Sequence, residues 1–193
     1  MEESRCIAVA VNKSREELLH DIVAIELRMF LTVQTADPTT CQEQPETFKL
    51  MRRAGFHVLS TETLESYLQD LEEALDEDRN LVTLKYARID ELILCLNDNP
   101  IIGKIVEIEE RWFKELDKKY PSTFRNRADF AAVIYLRSEL ETYSDRTLEL
   151  YLKDLTKALD EGRNLIAERY TYLFKQLGYN SIDDMEQERK KAK

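Results

Sequence analysis

The sequence predicts an all-α protein: two tandem copies of a roughly four-helix unit, packed about a pseudo-twofold into one helical bundle domain. A repeat is the first reason. Ser60 to Tyr86, STETLESYLQDLEEALDEDRNLVTLKY, returns 84 residues later as Ser144 to Tyr170, SDRTLELYLKDLTKALDEGRNLIAERY, with 16 of 27 positions identical. Composition is the second: only 4 glycines and 4 prolines stand among 193 residues, 34% of them charged and 43% hydrophobic, so breakers are few and helix formers many. Spacing is the third, since Leu64, Leu68, Leu71 and Leu75 recur at intervals of three and four. Each unit alone exposes an apolar face, and pairing the two is the simplest way to bury both.

The expected division is an N-terminal arm over 1–13, a first repeat over 14–98, a second over 99–180, and a short helix with a basic tail over 181–193. Ser14 to Glu17 reads as a capping box, opening a helix that ends between Phe30 and Val33. Thr35 to Gln44 is turn-rich. Pro45, tolerated at a first helical position, opens a second helix to Leu59. Ser60 caps the third. It stops at Asp78, whose counterpart is Gly162, the residue preferred just past a helix end. Asn80 and Asn164 then cap fourth helices, the first running LVTLKYARIDELILCL to Leu96, so that the third and fourth form an αα-hairpin rather than one continuous rod. Asn99-Pro100 is the seam. Ile101 to Leu116 repeats the first helix at a spacing of 83 (Ile22/Ile105, Glu26/Glu109, Phe30/Phe113), and one extra residue falls between Tyr120 and Arg127. Arg127 to Tyr143, Ser144 to Asp160 and Leu165 to Leu177 complete the copy, and a short helix starts at Ser181.

A formal net charge of −10 argues against binding nucleic acid or anionic membrane, which favour basic surfaces. The basic run Arg189 to Lys193 is read as a frayed, solvated end. Cys6, Cys41 and Cys95 are odd in number and share no CxxC spacing, which suits a cytoplasmic protein and neither a disulfide framework nor a thiolate zinc site. The apolar run near the start is too short for a signal peptide or membrane span.

Function has to be sought in polar residues that break the apolar pattern. At 100° per residue, Glu26 falls among Leu19, Ile22, Met29 and Phe30, and Glu109 among Ile102, Ile105, Trp112 and Phe113. Lys85 and Arg169 fall on apolar arcs in the same way. Buried charges must be paired, so one expectation is an internal pair in each copy, Glu26 with Lys85 or Arg53 and Glu109 with Arg169 or Arg137. The alternatives are that the two glutamates approach each other and line a pocket for a ligand or metal, or that these positions reach solvent at an edge. Tyr67 with Asp70, and Tyr151 with Asp154, share a helix face, which suits a phenol-to-carboxylate hydrogen bond or a contact between copies. His20 and His57 do not follow a carboxylate at the Glu-x-x-His spacing of dimetal bundles. No metal is therefore expected, and an oxygen-only site of Glu26, Glu109, Asp70 and Asp154 is the weak alternative. Cys41 is a candidate nucleophile without a legible histidine partner. No phosphate loop, GxSxG elbow or HExxH occurs.

Four blocks, CQEQPETFKLMRR, LESYLQDLEEALDEDRNLVTLKYAR, YLRSELETYSDRTLELY and LGYNSIDDMEQ, resemble the bacterial domain of unknown function family 4125 (DUF4125). The likeness spans most of the chain. Ala36 to Thr39 replaces the family's Gly-Gly-Arg-Ala, and Gly55 replaces a glutamine. The resemblance implies an all-helical bacterial cytosolic protein and no particular reaction. It draws attention to Cys41, Arg52, Tyr67, Asp70, Arg79, Asn80, Lys85, Tyr86, Tyr135, Arg137, Glu139, Tyr143 and Tyr151. The functional expectation is a small-molecule-binding protein or enzyme. Its catalytic candidates are Glu26, Glu109, Tyr67, Tyr151 and Cys41, and its ligand-binding candidates Arg53, Arg137, Asp70, Asp154, Lys85, Arg169 and Glu139. The rivals are an interaction module with purely structural ion pairs, and a metal-dependent enzyme.

Overall fold

The computed structural model describes residues 13–33, 43–124 and 130–191. Among these it contains ten helices and no strand: α1 (Arg15–Leu31), α2 (Pro45–Phe56), α3 (Thr61–Asp76), α4 (Leu81–Ile89), α5 (Pro100–Lys119), α6 (Pro121–Phe124), α7 (Phe130–Leu140), α8 (Asp145–Asp160), α9 (Leu165–Gln176) and α10 (Ile182–Lys191). The Thr35 to Gln44 loop lies almost wholly outside the described residues, as do Cys6 and Cys41.

Local chemistry sets the helix starts. Ser14 and Glu17 cap each other reciprocally. Ser60, Asn80, Ser144 and Asn164 each accept the amide three residues on. α3 and α4 are separate helices rather than one continuous rod, and both pack on α1. At their junction Asp78 takes a left-handed φ of 54°, and Gly162 takes 66° between α8 and α9. In both, the amide one residue further bonds back five residues, Arg79 to Ala74 and Arg163 to Ala158, closing the helix end.

Several boundaries differ from expectation, α5 running on to Lys119 and α7 stopping at Leu140 among them. α2 stops at Phe56 rather than Leu59. α4 stops at Ile89 rather than Leu96, because Glu91 takes a left-handed φ of 56°, and Leu92, Leu94 and Leu96 beyond it stay exposed. Arg88 instead reaches the carbonyl of Ile93, and Glu141 accepts the amide of Leu96, so 90–99 is irregular chain. The basic run is not frayed at its start, since Arg189 to Lys191 form the last turn of α10, where cations offset the helix dipole.

The helices bury one continuous core running from Leu18 to Met185. α1 packs on α2 and α3, and α5 on α7, α8 and α9. Helices of the first half also lie against helices of the second: α2 on α9, α3 on α8, and α4 on α7. This last set of contacts creates the polar interior described next.

Candidate functional site

Glu26 projects from α1 into the core and is 2% exposed. Arg52 of α2 meets it side-on, Nε and Nη2 donating to its two oxygens at 2.7 and 2.6 Å. The same guanidinium holds Glu139 of α7 at 3.0 and 2.9 Å. Tyr67 of α3 donates to Glu26 at 2.8 Å, and Tyr143, just past α7, donates to Glu139 at 3.0 Å. Lys85 of α4, 5% exposed, donates to Glu139 at 3.3 Å and to the Tyr135 hydroxyl at 2.8 Å, with its ammonium over the Tyr135 ring. Seven side chains from five helices and one turn thus form a single network.

A smaller network is centred on Glu109 of α5. Arg169 of α9 donates to it twice, at 3.0 and 2.8 Å, and the Tyr151 hydroxyl of α8 donates to Glu109 in a very short contact. Arg169 Nε is buried without an acceptor.

The electrostatics follow from these partners. Burial works against the charge of Glu139, but Arg52 and Lys85 outweigh it and hold the carboxyl well below the usual range. Burial likewise opposes the charge on Arg52, and Glu139 and Glu26 more than restore it, so its pKa is raised. Burial, reinforced by neighbouring Glu26 or Glu139, pushes the Tyr67 and Tyr143 phenols well above 10 and Tyr135 to about 12. The buried acids and bases form salt bridges, and the three phenols of this cluster are protonated at neutral pH.

A cavity of about 300 Å³ opens between the two networks. α2 contributes Met51, Arg52, Gly55 and Phe56 to its wall, with Leu59 following; α7 contributes Tyr135, Leu136, Glu139 and Leu140; and Tyr143, Tyr151, Arg169 and Tyr170 complete it. Gly55 leaves open space where a Cβ would stand.

Several expectations need correction. Glu26 pairs with Arg52 rather than Lys85 or Arg53, because Arg52 lies one helical turn from both Phe48 and Phe56 on the buried face of α2, while Arg53 points aside to Glu16 and Tyr172. Glu109 pairs with Arg169 as expected, not with Arg137, which is exposed. Tyr67 and Tyr151 bond to glutamates rather than to Asp70 and Asp154. Those aspartates instead reach across the α3–α8 contact: Asp154 accepts from Ser60 N and Thr63 Oγ1, and Asp70 accepts from Ser144 N. The four carboxylates proposed for an oxygen-only metal site are therefore held apart by separate partners, and no metal-ligating group of three or more was found among the described residues. Cys41 lies outside them.

Sequence reasoning missed two buried glutamates. Glu141 clamps Arg88 and the amide of Leu96. Glu186 accepts the Ser122 amide and the amide and hydroxyl of Thr123, fixing α10 against α6. For Glu186 a signal existed, because it follows Ile182 and Met185 on one helical face.

Among the described residues no helix is long and apolar enough to cross a membrane. Residues 16–187 match the family model described as protein of unknown function (DUF4125). The chain belongs to that family. No curated protein and no solved structure matches it.

Proposed function

We propose that this DUF4125 protein binds a small molecule in the cavity between α2, α7, α8 and α9. One observation carries the reading: about 300 Å³ of space adjoins two guanidinium groups, Arg52 and Arg169, and one carboxylate, Glu139, on a wall that is otherwise mainly aromatic and aliphatic. Ligand sites are concave, largely apolar and furnished with a few fixed polar groups. The ion pairs behind the wall hold those groups rigid. Tyr151, Arg169 and Glu139 are the ligand-facing members of the sequence-derived set, while Glu26, Glu109, Tyr67 and Lys85 position them from behind.

The cavity lies where the two copies meet if the halves are related by a pseudo-twofold. The reciprocal bonds Ser60–Asp154 and Ser144–Asp70 support that arrangement, as do the matching pairs Tyr67–Glu26 and Tyr151–Glu109. A cytoplasmic location fits the exposed free thiol of Cys95.

The test is a thermal-shift screen of small metabolites on the native chain and on Gly55→Leu, whose side chain would fill the cavity. At least one compound should raise the melting temperature of the native protein and leave the variant unmoved. Equal shifts in both proteins, or none in either, would refute the reading.

A second reading, an interaction module, draws on Leu92 and Leu94, which are 75% and 89% exposed on irregular chain. It predicts that Leu94→Ser lowers the mass seen by sedimentation velocity. An unchanged sedimentation coefficient counts against self-association through this segment.

A further inference from the structure

Given a ligand in the cavity between α2, α7, α8 and α9, we propose that it is a small organic anion carrying an aromatic ring, its oxyanion held by Arg52 and Arg169. The argument is a count of unused hydrogen-bonding capacity. A guanidinium carries five N–H donors and no acceptor. Arg52 spends four, two on Glu26 and two on Glu139. Arg169 spends three, two on Glu109 and one on the Tyr151 hydroxyl; its Nε–H has no acceptor but is buried away from the cavity, which leaves one Nη1–H free for a ligand. Glu139, the one carboxylate on the wall, is saturated: one oxygen takes Arg52 and Tyr143, the other Arg52 and Lys85. The Tyr143 and Tyr151 protons are already given to glutamates. The spare capacity of the arginines and this carboxylate is therefore donor-only, and it asks for acceptor oxygens.

Charge is balanced: Arg52, Lys85 and Arg169 stand against Glu26, Glu139 and Glu109, so the discrimination rests on which hydrogen-bonding groups are left unused. An ammonium ligand would find no free acceptor on Glu139 and would have to displace Arg52 or Lys85 from it. A carboxylate would instead complete the arginines' unfinished coordination through charge-assisted bonds. The ring is argued from the remainder of the wall, where Phe56, Tyr135, Tyr143, Tyr151 and Tyr170 supply aromatic surface. The volume is at the small end for ligand sites and suits one ring with short substituents.

The probes are benzoate, benzyl alcohol, benzylamine and acetate, titrated in the millimolar range and followed by ligand-observed NMR. The proteins are the native chain, Gly55→Ala, which leaves the space open, and Gly55→Leu, which fills it. Benzoate should bind the native chain and Gly55→Ala and lose binding to Gly55→Leu. The other three probes should bind at least about tenfold more weakly than benzoate. If benzylamine or benzyl alcohol binds as well as benzoate and both are lost in Gly55→Leu, the anion assignment falls while the cavity stands as a site. Acetate binding as tightly as benzoate removes the ring. Benzoate binding unchanged by Gly55→Leu overturns the site itself, and no benzoate binding to the native chain overturns the ligand class.

Discussion

Arg52 and Arg53 are adjacent and chemically identical, yet the fold gives them opposite weight. Arg52 is 14% exposed at the side chain and shared between two buried carboxylates, whereas Arg53 faces Glu16, which is 71% exposed. Removing one partner from a buried pair strands the other's charge, which costs about 3 kcal/mol, while exposed pairs contribute about 1 kcal/mol or less. Urea unfolding at neutral pH should accordingly show Glu26→Gln destabilised by about 3 kcal/mol and Arg53→Ala by at most about 1 kcal/mol. Equal losses would mean that the buried Glu26–Arg52 pair carries no more weight than an exposed one. The burial of Glu26, Glu109 and Lys85 was legible because each interrupts a well-phased apolar stripe. The partner of Glu26 was not, because α2 is short and its first copy matches the second poorly, so its phase rests on Phe48 and Phe56 alone. Their spacing of eight with Arg52 midway, its guanidinium 4.9 Å from the Phe56 ring, was the available clue.

At the scale of elements, the same helix ending is built twice with different residues. After α3 and α8 the chain must turn left-handed, and Asp78 does with a side chain what Gly162 does without one. A left-handed residue with a Cβ costs about 1 kcal/mol, somewhat less for aspartate. Asp78→Gly should therefore stabilise the protein by about 0.5 kcal/mol, and Gly162→Ala should destabilise it by about 1 kcal/mol. A loss of stability in Asp78→Gly would show that its side chain does more than fill the turn. Caps, the break between α3 and α4 and the glycine stop were readable because each depends on a few neighbouring residues. The end of α4 was not, because its apolar content continues past Ile89. What ends the helix is the left-handed turn at Glu91 together with the bond from the Leu96 amide to Glu141, 45 residues further on. The packing of α2 on α9 and of α4 on α7 was equally hidden, since no local pattern encodes which half a helix leans on.

On the scale of the molecule, the larger network draws its seven side chains from α1, α2, α3, α4, α7 and the turn after α7, so its ionisation is coupled to the whole bundle. Glu139 is the sensitive member. Its folded pKa lies far below the ordinary carboxyl value of 4.5, since Arg52 and Lys85 outweigh its burial. A depressed carboxyl contributes stability that is fully present above the unfolded pKa and lost as pH falls toward the folded one. Glu186 acts in the same sense: burial opposes its charge, but Thr123 and Ser122 pull it down to about 2. The melting temperature should therefore be steady from neutral pH to about 5 and fall steeply below about 4.5. Loss of tertiary and helical circular dichroism should coincide, because losing Glu139 cuts α7 from α2 and α4 and opens the one core that all the helices share. Glu139→Gln isolates the cause: it should be less stable at neutral pH and show a shallower acid decline than the native chain. An identical acid slope in both proteins would place the sensitivity elsewhere. Two separated transitions would mean that the shared core does not couple the two halves.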